Sequence, residues 1–372
     1  MKFLVLVENL RKALSLVEHA LGKNAHLPIL ESFCIVAKGS TVSISATNLE
    51  IGMVTSCSAK IEKEGTAAVA ARPLLNFLQQ LNEAKVTIEQ KEKTVLVTSD
   101  SYTASLQTYE IEEFPLIPVV KGTDHVQIES SLFAHACEQV SFASSTSDFR
   151  PELNSVCIRT DPQDGIRFVG TDTFRLAEKY IATKECLRIP EAKQSLLVPL
   201  RTIQEVTRIA KEKLEPLTIL SDPTQASFEW SDTRMVSRLV EGEFPEYSSV
   251  IPSTFKIETL ISHPKFLEAL KVSGVFSSRL HDVRFSFDPK EKTITILATD
   301  ALAGENRANF RVDKCKGESL EASFNYRYLI DALGALNPKS KIIFNVSDTD
   351  RPALIQEEGD GTYFCIIMPL RV

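Results

Sequence analysis

With 372 residues the chain has room for about two to three domains of ordinary size. Its 42 Lys+Arg against 49 Asp+Glu leave a net charge of −7, which excludes a generally basic coat on nucleic acid and still permits a local basic surface. Hydrophobic residues at 43% and charged residues at 24% exclude a disordered or collagen-like chain, and the apolar runs are too short and charge-broken to span a membrane as helices.

In chain order, the start MKFLVLVENLRKAL has neither the long apolar core nor the small-residue cleavage site of a signal peptide, which predicts a cytoplasmic protein. From Phe3 an apolar opening passes into a helical pattern, FLVLVENLRKALSLVEHAL, with Leu10, Ala13, Leu14 and Val17 on one face. The strand TVSISAT runs into ISATNLEIGM (44–53), a second helical pattern follows from Ala71 (ARPLLNFLQQL), and KVTIEQ and TVLVTS form a hairpin across EQKEKT. The segment closes on EEFPLIP, ending at Pro118. The same landmarks then return. VQIESSLFAHACEQVSFA from Val126, FVGTDTFRLA (168–177), PLRTIQEVTRIAKEKL from Pro199, the strands LTILSD and ASFEWS, and GEFPEYSSVIP ending at Pro252 keep the order. They return again as FKIETLISHPKFLEALKVS from Phe255, the strand TITILAT running into ILATDALAGEN (296–306), NYRYLIDALGAL from Asn325, KIIFNVS, and a final IIMPLRV.

Thr47, Thr171 and Thr299 mark the equivalent positions, 124 and 128 residues apart. Four landmarks in fixed order imply three tandem copies of one unit, with domains over 1–120, 121–252 and 253–372. Each copy reads as two helices on a layer of antiparallel strands, so the fold class is α+β.

Chemical motifs are sparse. The Thr-Asp pairs invite a metal or general-base role for Asp172 and Asp300, but Asn48 holds the equivalent place, and a polar side chain after a strand is the residue type that bonds its own backbone in a turn. Neither GxxxxGK[ST], GxGxxG nor GxSxG occurs. Seven widely spaced cysteines without a CxxC pair suit reduced thiols, and the six histidines have no metal spacing. On the helical pattern 201–213, Arg201, Arg208 and Lys211 share a face opposite Ile203, Val206 and Ile209; Arg11, Lys12, Arg72, Lys265, Lys271 and Arg327 sit on or beside the other helices. A solvated face and a phosphate-facing surface share that pattern.

MKFLV, LPILESFCI (27–35), ATNLEIGM, GTDTFRLA, VEGEFPEYSSVIP and the terminal IIMPLRV together resemble the β subunit of bacterial DNA polymerase III, the replication sliding clamp, over the whole chain. The resemblance implies the DNA clamp fold: a head-to-tail homodimer whose six domains close into a pseudo-sixfold ring around duplex DNA, helices lining the hole and sheets outside. It implies a processivity factor for the replicative polymerase that is not an enzyme and needs no metal or nucleotide of its own, with ATP spent by a separate loader. Replicative polymerase, clamp loader and repair proteins would dock through short linear peptides in an apolar pocket whose matching positions here are Leu153, Thr171, Thr173, Phe174, Arg175, Leu176, Pro245, Val250, Ile366, Met368, Pro369, Leu370 and Arg371.

The family commonly has Gly-His where this chain has Thr173 and Phe174, and often Arg at Ser249, which implies a bulkier, less basic rim. For DNA, the resemblance puts Lys23 and Asn24 in the loop that approaches the duplex, matches Arg72 and Arg150 to family basic positions and places Arg201 beside another. Asn24, Pro151, Glu152 and Leu200 stand where the family more often has basic or aromatic residues, implying sparse contacts. Leu106, Val275 and Phe276 are the candidates for the dimer contact. Two other readings remain open at this point: a clamp-like peptide-binding scaffold that does not encircle DNA, and a metal-dependent hydrolase using Asp172 and Asp300.

Overall fold

A computed structural model describes residues 1–22, 26–122 and 124–371. The first repeat contains β1 (Lys2–Leu6), α1 (Val7–Val17), β2 (Ser32–Lys38), β3 (Thr41–Thr47), β4 (Ile51–Ser58), β5 (Lys60–Lys63), β6 (Gly65–Ala70), α2 (Ala71–Gln80), β7 (Lys85–Lys91), β8 (Thr94–Thr98) and β9 (Thr103–Tyr109). The second contains β10 (His125–Ile128), α3 (Ser130–Ser141), β11 (Ser155–Asp161), β12 (Gly165–Thr171), β13 (Arg175–Ala182), β14 (Gln194–Pro199), α4 (Leu200–Glu212), β15 (Leu217–Ser221), β16 (Gln225–Glu229) and β17 (Thr233–Arg238). The third contains β18 (Ile257–Ser262), α5 (His263–Gly274), β19 (Asp282–Asp288), β20 (Thr293–Asp300), β21 (Gly304–Arg311), β22 (Lys314–Gly317), β23 (Leu320–Asn325), α6 (Tyr326–Gly334), β24 (Lys341–Val346), β25 (Ala353–Glu357) and β26 (Tyr363–Ile367).

Each predicted helical pattern is a short amphipathic helix. In α1, Val7, Leu10, Ala13, Leu14, Leu16 and Val17 are buried, and the apolar opening before it is the strand β1, which pairs with β7. Helices of this length are marginal alone, so their stability comes from the face laid on the sheet. In the third repeat that core is aromatic: Phe266 of α5 lies 6.2 Å from Phe285 and 5.3 Å from Phe344, with Phe324 5.7 Å from Phe285. These four rings are fully buried, each contributing about 2–3 kcal/mol of apolar burial. In the second repeat the helix comes close enough to need glycine: a Cβ on Gly170 of β12 would lie 2.4 Å from the Val140 carbonyl oxygen of α3.

The chain forms two compact units, Met1–Ser131 with Arg208–Leu239 and Leu132–Thr207 with Val240–Val372. In the first, one antiparallel sheet runs β10-β15-β16-β17-β4-β3-β2-β6-β9-β8-β7-β1-β5. In the second, one sheet runs β14-β11-β12-β13-β26-β25-β24-β18-β22 and a smaller one β21-β20-β19-β23. The division passes through the middle repeat because its strands join different neighbours. β17 pairs with β4, with Met235 opposite Met53 and a buried 3.0 Å hydrogen bond between the Thr55 and Thr233 hydroxyls. β13 pairs with β26, with Ala177 opposite Cys365.

The two junctions use equivalent strands: the one after the Thr-Asn/Asp turn in one repeat, and the last one in the next. Among the described residues, the third copy of the turn-following strand, β21, pairs only with β20 and ends its sheet. The first copy of the last strand, β9, pairs along its length with β8 but meets β6 only at Thr108 and Tyr109.

Candidate functional site

The β12–β13 turn is built from local hydrogen bonds. Thr171 Oγ1 donates to the Arg175 carbonyl (2.7 Å) and accepts from Thr173 N (3.2 Å). Asp172 Oδ1 accepts from Phe174 N and Arg175 N, both at 2.9 Å. Thr173 is thereby held at φ +78°, a left-handed conformation that a β-branched residue adopts only when its surroundings enforce it. The other repeats copy this turn. Asn48 Oδ1 accepts from Glu50 N and Ile51 N at 3.0 and 2.8 Å with Leu49 at φ +78°, and Asp300 Oδ1 accepts from Leu302 N and Ala303 N at 2.9 Å. The Thr-Asn/Asp pairs are turn formers in all three copies, and the hydrolase reading loses its carboxylates to backbone bonding. The described residues contain no group of three or more His, Cys, Asp or Glu able to hold a metal ion.

Arg175, first residue of β13, is the most heavily engaged side chain of the site, at 12% exposure. Its Nε donates to Asp172 Oδ2 (2.9 Å) and its Nη1 to Asp331 Oδ2 of α6 (2.6 Å). The guanidinium lies 4.4 Å from the Tyr328 ring centre and 5.5 Å from that of Phe142. Burial works against its charge, but the bond to Asp331 and the field of Asp172 outweigh it and hold the guanidinium above its ordinary pKa. Burial likewise pushes the Tyr328 hydroxyl up. Beside this cage lies a cavity of about 820 Å³ lined by Glu138, Phe142, Asp331 and Asp360 among others.

Most of the residues marked for partner peptides lie on the β12–β13 turn, on β13 and β26 and on the segments that follow or pack against them. Leu176 and Ile366 are paired across β13 and β26 and buried in a cluster with Cys157, Val169, Leu197, Leu354, Phe244 and Tyr247. Beyond β26, Met368 N donates to the Phe174 carbonyl (2.8 Å), leaving the Phe174 side chain 57% exposed on the turn. Phe244 and Tyr247 bring the Phe-Pro segment against this floor, so Pro245 is half-buried and Val250 is 44% exposed. Pro369 is buried and Leu153 is buried with its backbone bonded to Ser145 and Arg150. Leu370 N donates to the Ser323 carbonyl (2.7 Å), and Leu370 and Arg371 line a separate groove of about 380 Å³ with Arg284, Glu321, Ser323, Thr349 and Asp350. Ser249 is exposed.

Of the positions marked for DNA, Lys23 and Asn24 lie outside the described residues. Arg72 on α2 and Arg201 on α4 are exposed, and Arg150 is exposed with its Nε 3.1 Å from Glu152 Oε1. Arg11 points elsewhere, donating to the Leu78 carbonyl (2.6 Å) and to that of Leu81, and so satisfies the last carbonyls of α2. Of the dimer candidates, Val275 is 70% exposed, Phe276 is half-buried, and Leu106 of β9 is already buried. The cage residues Phe142, Tyr328 and Asp331 escape sequence reasoning. They are far from Arg175 along the chain, and the sequence signal for each is an ordinary helix position.

Three family models cover nearly the whole chain: DNA polymerase III beta subunit, N-terminal domain (residues 1–118), central domain (127–246) and C-terminal domain (248–371). Full-length relatives include the beta sliding clamps of Bacillus subtilis and Streptomyces coelicolor, 27% and 28% identical, with all of each chain aligned. Similar solved structures include the DNA polymerase sliding clamp of Bacillus subtilis (TM-score 0.94) and the DNA polymerase III beta subunit of Thermotoga maritima (TM-score 0.91). Both are 26% identical, covering 100% of this chain and 99% of the other.

Proposed function

The chain belongs to the DNA polymerase III beta subunit family and is a DNA sliding clamp; we propose that it works as a head-to-tail homodimer whose six domains encircle duplex DNA and tether the replicative polymerase. The observation that carries the ring is the repeated junction. Two of the three possible joints are made within the chain, β4 to β17 and β13 to β26. The strands that would make the third, β21 and β9, lie at opposite ends of the repeat order with main-chain groups left over. A strand edge of that kind is a template for another chain. Joining β21 of one chain to β9 of a second uses the same pairing twice and closes six domains, over 1–120, 121–252 and 253–372 in each chain. Val275 and Phe276 then extend the contact, while Leu106 supports β9 from within its own core.

Such a ring retains DNA by topology, so weak screened contacts from Arg72, Arg150, Arg201, Lys23 and Asn24 suffice and permit sliding. The net charge of −7 suits an acidic outer wall around a modestly basic lining. Partner proteins would dock by short apolar peptides between the Phe174 turn, the Pro245–Val250 segment and the terminal Met368–Arg371 segment, where the exposed Phe174 and Val250 side chains border a buried floor. The clamp acts in the cytoplasm and catalyses no reaction itself. Sedimentation equilibrium tests the assembly: a mass twice 41.4 kDa at micromolar concentration is expected, and a persistent 41.4 kDa particle overturns the ring.

A further inference from the structure

Two charged or polar side chains sit deep in the apolar floor of the peptide site. Glu178 of β13 is 8% exposed and Tyr247 of the Phe-Pro segment 5%, and Tyr247 packs among buried apolar side chains that include Leu176, Leu197 and Ile366. The Tyr247 hydroxyl donates to Glu178 Oε2 at 2.5 Å, and Arg167 Nε donates to Glu178 Oε1 at 3.3 Å. Arg167 is itself paired with Asp164, and the Arg159 guanidinium lies 5.3 Å from the Tyr247 ring centre. Burying a carboxylate here is costly and is tolerated because both its oxygens are occupied by donors.

The segment around Tyr247 has few other main-chain ties. Val240 N donates to the Leu197 carbonyl (2.9 Å), and Val250 N donates to the Tyr247 carbonyl (2.9 Å), so Val250 takes its place from Tyr247. Phe244 stands edge-on to Tyr247 with ring centres 6.2 Å apart, and Pro245 lies between them in sequence. The first repeat has the same device in apolar form. Three residues after its own Phe-Pro phenylalanine, Ile117 sits on Gly52 of β4, so closely that a Cβ there would lie 2.7 Å from it. The second repeat replaces an apolar seat by a hydrogen bond to a buried charge, which is more directional and holds the segment in one register.

We propose that Glu178 and Tyr247 are positioning residues for partner-peptide recognition: their hydrogen bond latches the 240–252 segment onto β13 and thereby sets Pro245 and Val250 at the rim of the site. This rests on the peptide-site reading given above. The latch differs from a generic core contact because it fixes where the rim stands without itself touching the peptide.

The test uses the full-length protein and a fluorescein-labelled short apolar peptide copied from the replicative polymerase subunit of the same organism. Tyr247→Phe removes the donor while keeping the ring, and peptide affinity is expected to fall about tenfold, the scale of one hydrogen bond to an ionised group. Glu178→Leu should match that loss, and Glu178→Gln, which retains an acceptor, should recover most of it. Hydrogen exchange at residues 240–252 should quicken in Tyr247→Phe while the assembly mass stays unchanged. Unaltered peptide affinity in Tyr247→Phe, or no recovery with glutamine, overturns the proposal. If the unmodified protein binds no peptide, the site reading fails by itself. Exchange then decides the latch: quickened exchange at 240–252 upholds it, and unchanged exchange overturns it.

Discussion

Replacing Arg175 by methionine keeps a flexible stem of similar reach and removes the charge from the cage. The loss can be sized from the surroundings. Asp172 keeps its two backbone donors at 2.9 Å after the change, and Asp331, 43% exposed beside the large cavity, regains water. Neither carboxylate is therefore stranded, and the cost should fall below the roughly 3–5 kcal/mol typical of breaking a fully buried pair. Two charge-assisted hydrogen bonds at about 1.5 kcal/mol each, and one close cation–π contact at about 1 kcal/mol, are offset by recovered desolvation of the guanidinium, leaving a net loss of about 2–3 kcal/mol. Urea unfolding followed by near-UV circular dichroism measures it, and a double-mutant cycle with Asp331→Asn isolates the 2.6 Å bond. A coupling of about 1–2 kcal/mol is expected. A coupling indistinguishable from zero, with Arg175→Met as stable as the parent, refutes the claim that this arginine fastens α6 to the β12–β13 turn.

Other outcomes follow from the same geometry. Deleting residues 368–372 removes the Met368 bond to Phe174 and the Leu370 bond to Ser323. Peptide binding measured by fluorescence anisotropy should disappear while the dimer mass is kept, and unchanged affinity would refute the assignment. Arg201→Ala, at an exposed position, should lower the slope of log K against log salt for duplex DNA by about one phosphate contact, and an unchanged slope would remove Arg201 from the DNA-facing set. Burial opposes the charge of Asp360, but the Thr362 hydroxyl and amide at 2.5 and 2.7 Å, with Lys179, outweigh it and depress its pKa. A depressed carboxylate contributes stability above its unfolded pKa of about 3.9 and loses it as pH falls through the lower folded value. Asp360→Asn should therefore destabilise the protein at pH 7 and narrow its gap from the parent below about pH 4, as read by urea midpoints.

How far the sequence reached is clearest at the turns. Thr47–Asn48, Thr171–Asp172 and Thr299–Asp300 are legible because a turn is made by residues three or four apart, and the Asn or Asp side chain bonds within that span in each copy. The six helices are legible for the same reason, their buried stripes recurring at local spacing. The strand joints are not, because which edge pairs with which depends on partners such as Met53 and Met235, far apart in the chain. The charged groups of the site are less legible still. Glu178 takes its role from Tyr247, 69 residues away, and Arg175, a pocket position by resemblance, is enclosed by Asp331 and Tyr328 from a distant helix. Both depend on long-range packing that gives a charged side chain a role its own neighbours do not announce.

The central claim is that the chain closes around DNA, and retention on a circle tests it most directly. After loading onto nicked circular duplex, the protein should stay on the circle through gel filtration at high salt, where phosphate contacts are screened, and should leave when a single cut linearises the DNA. Loss from the intact circle at the same rate as from linear DNA would contradict the account.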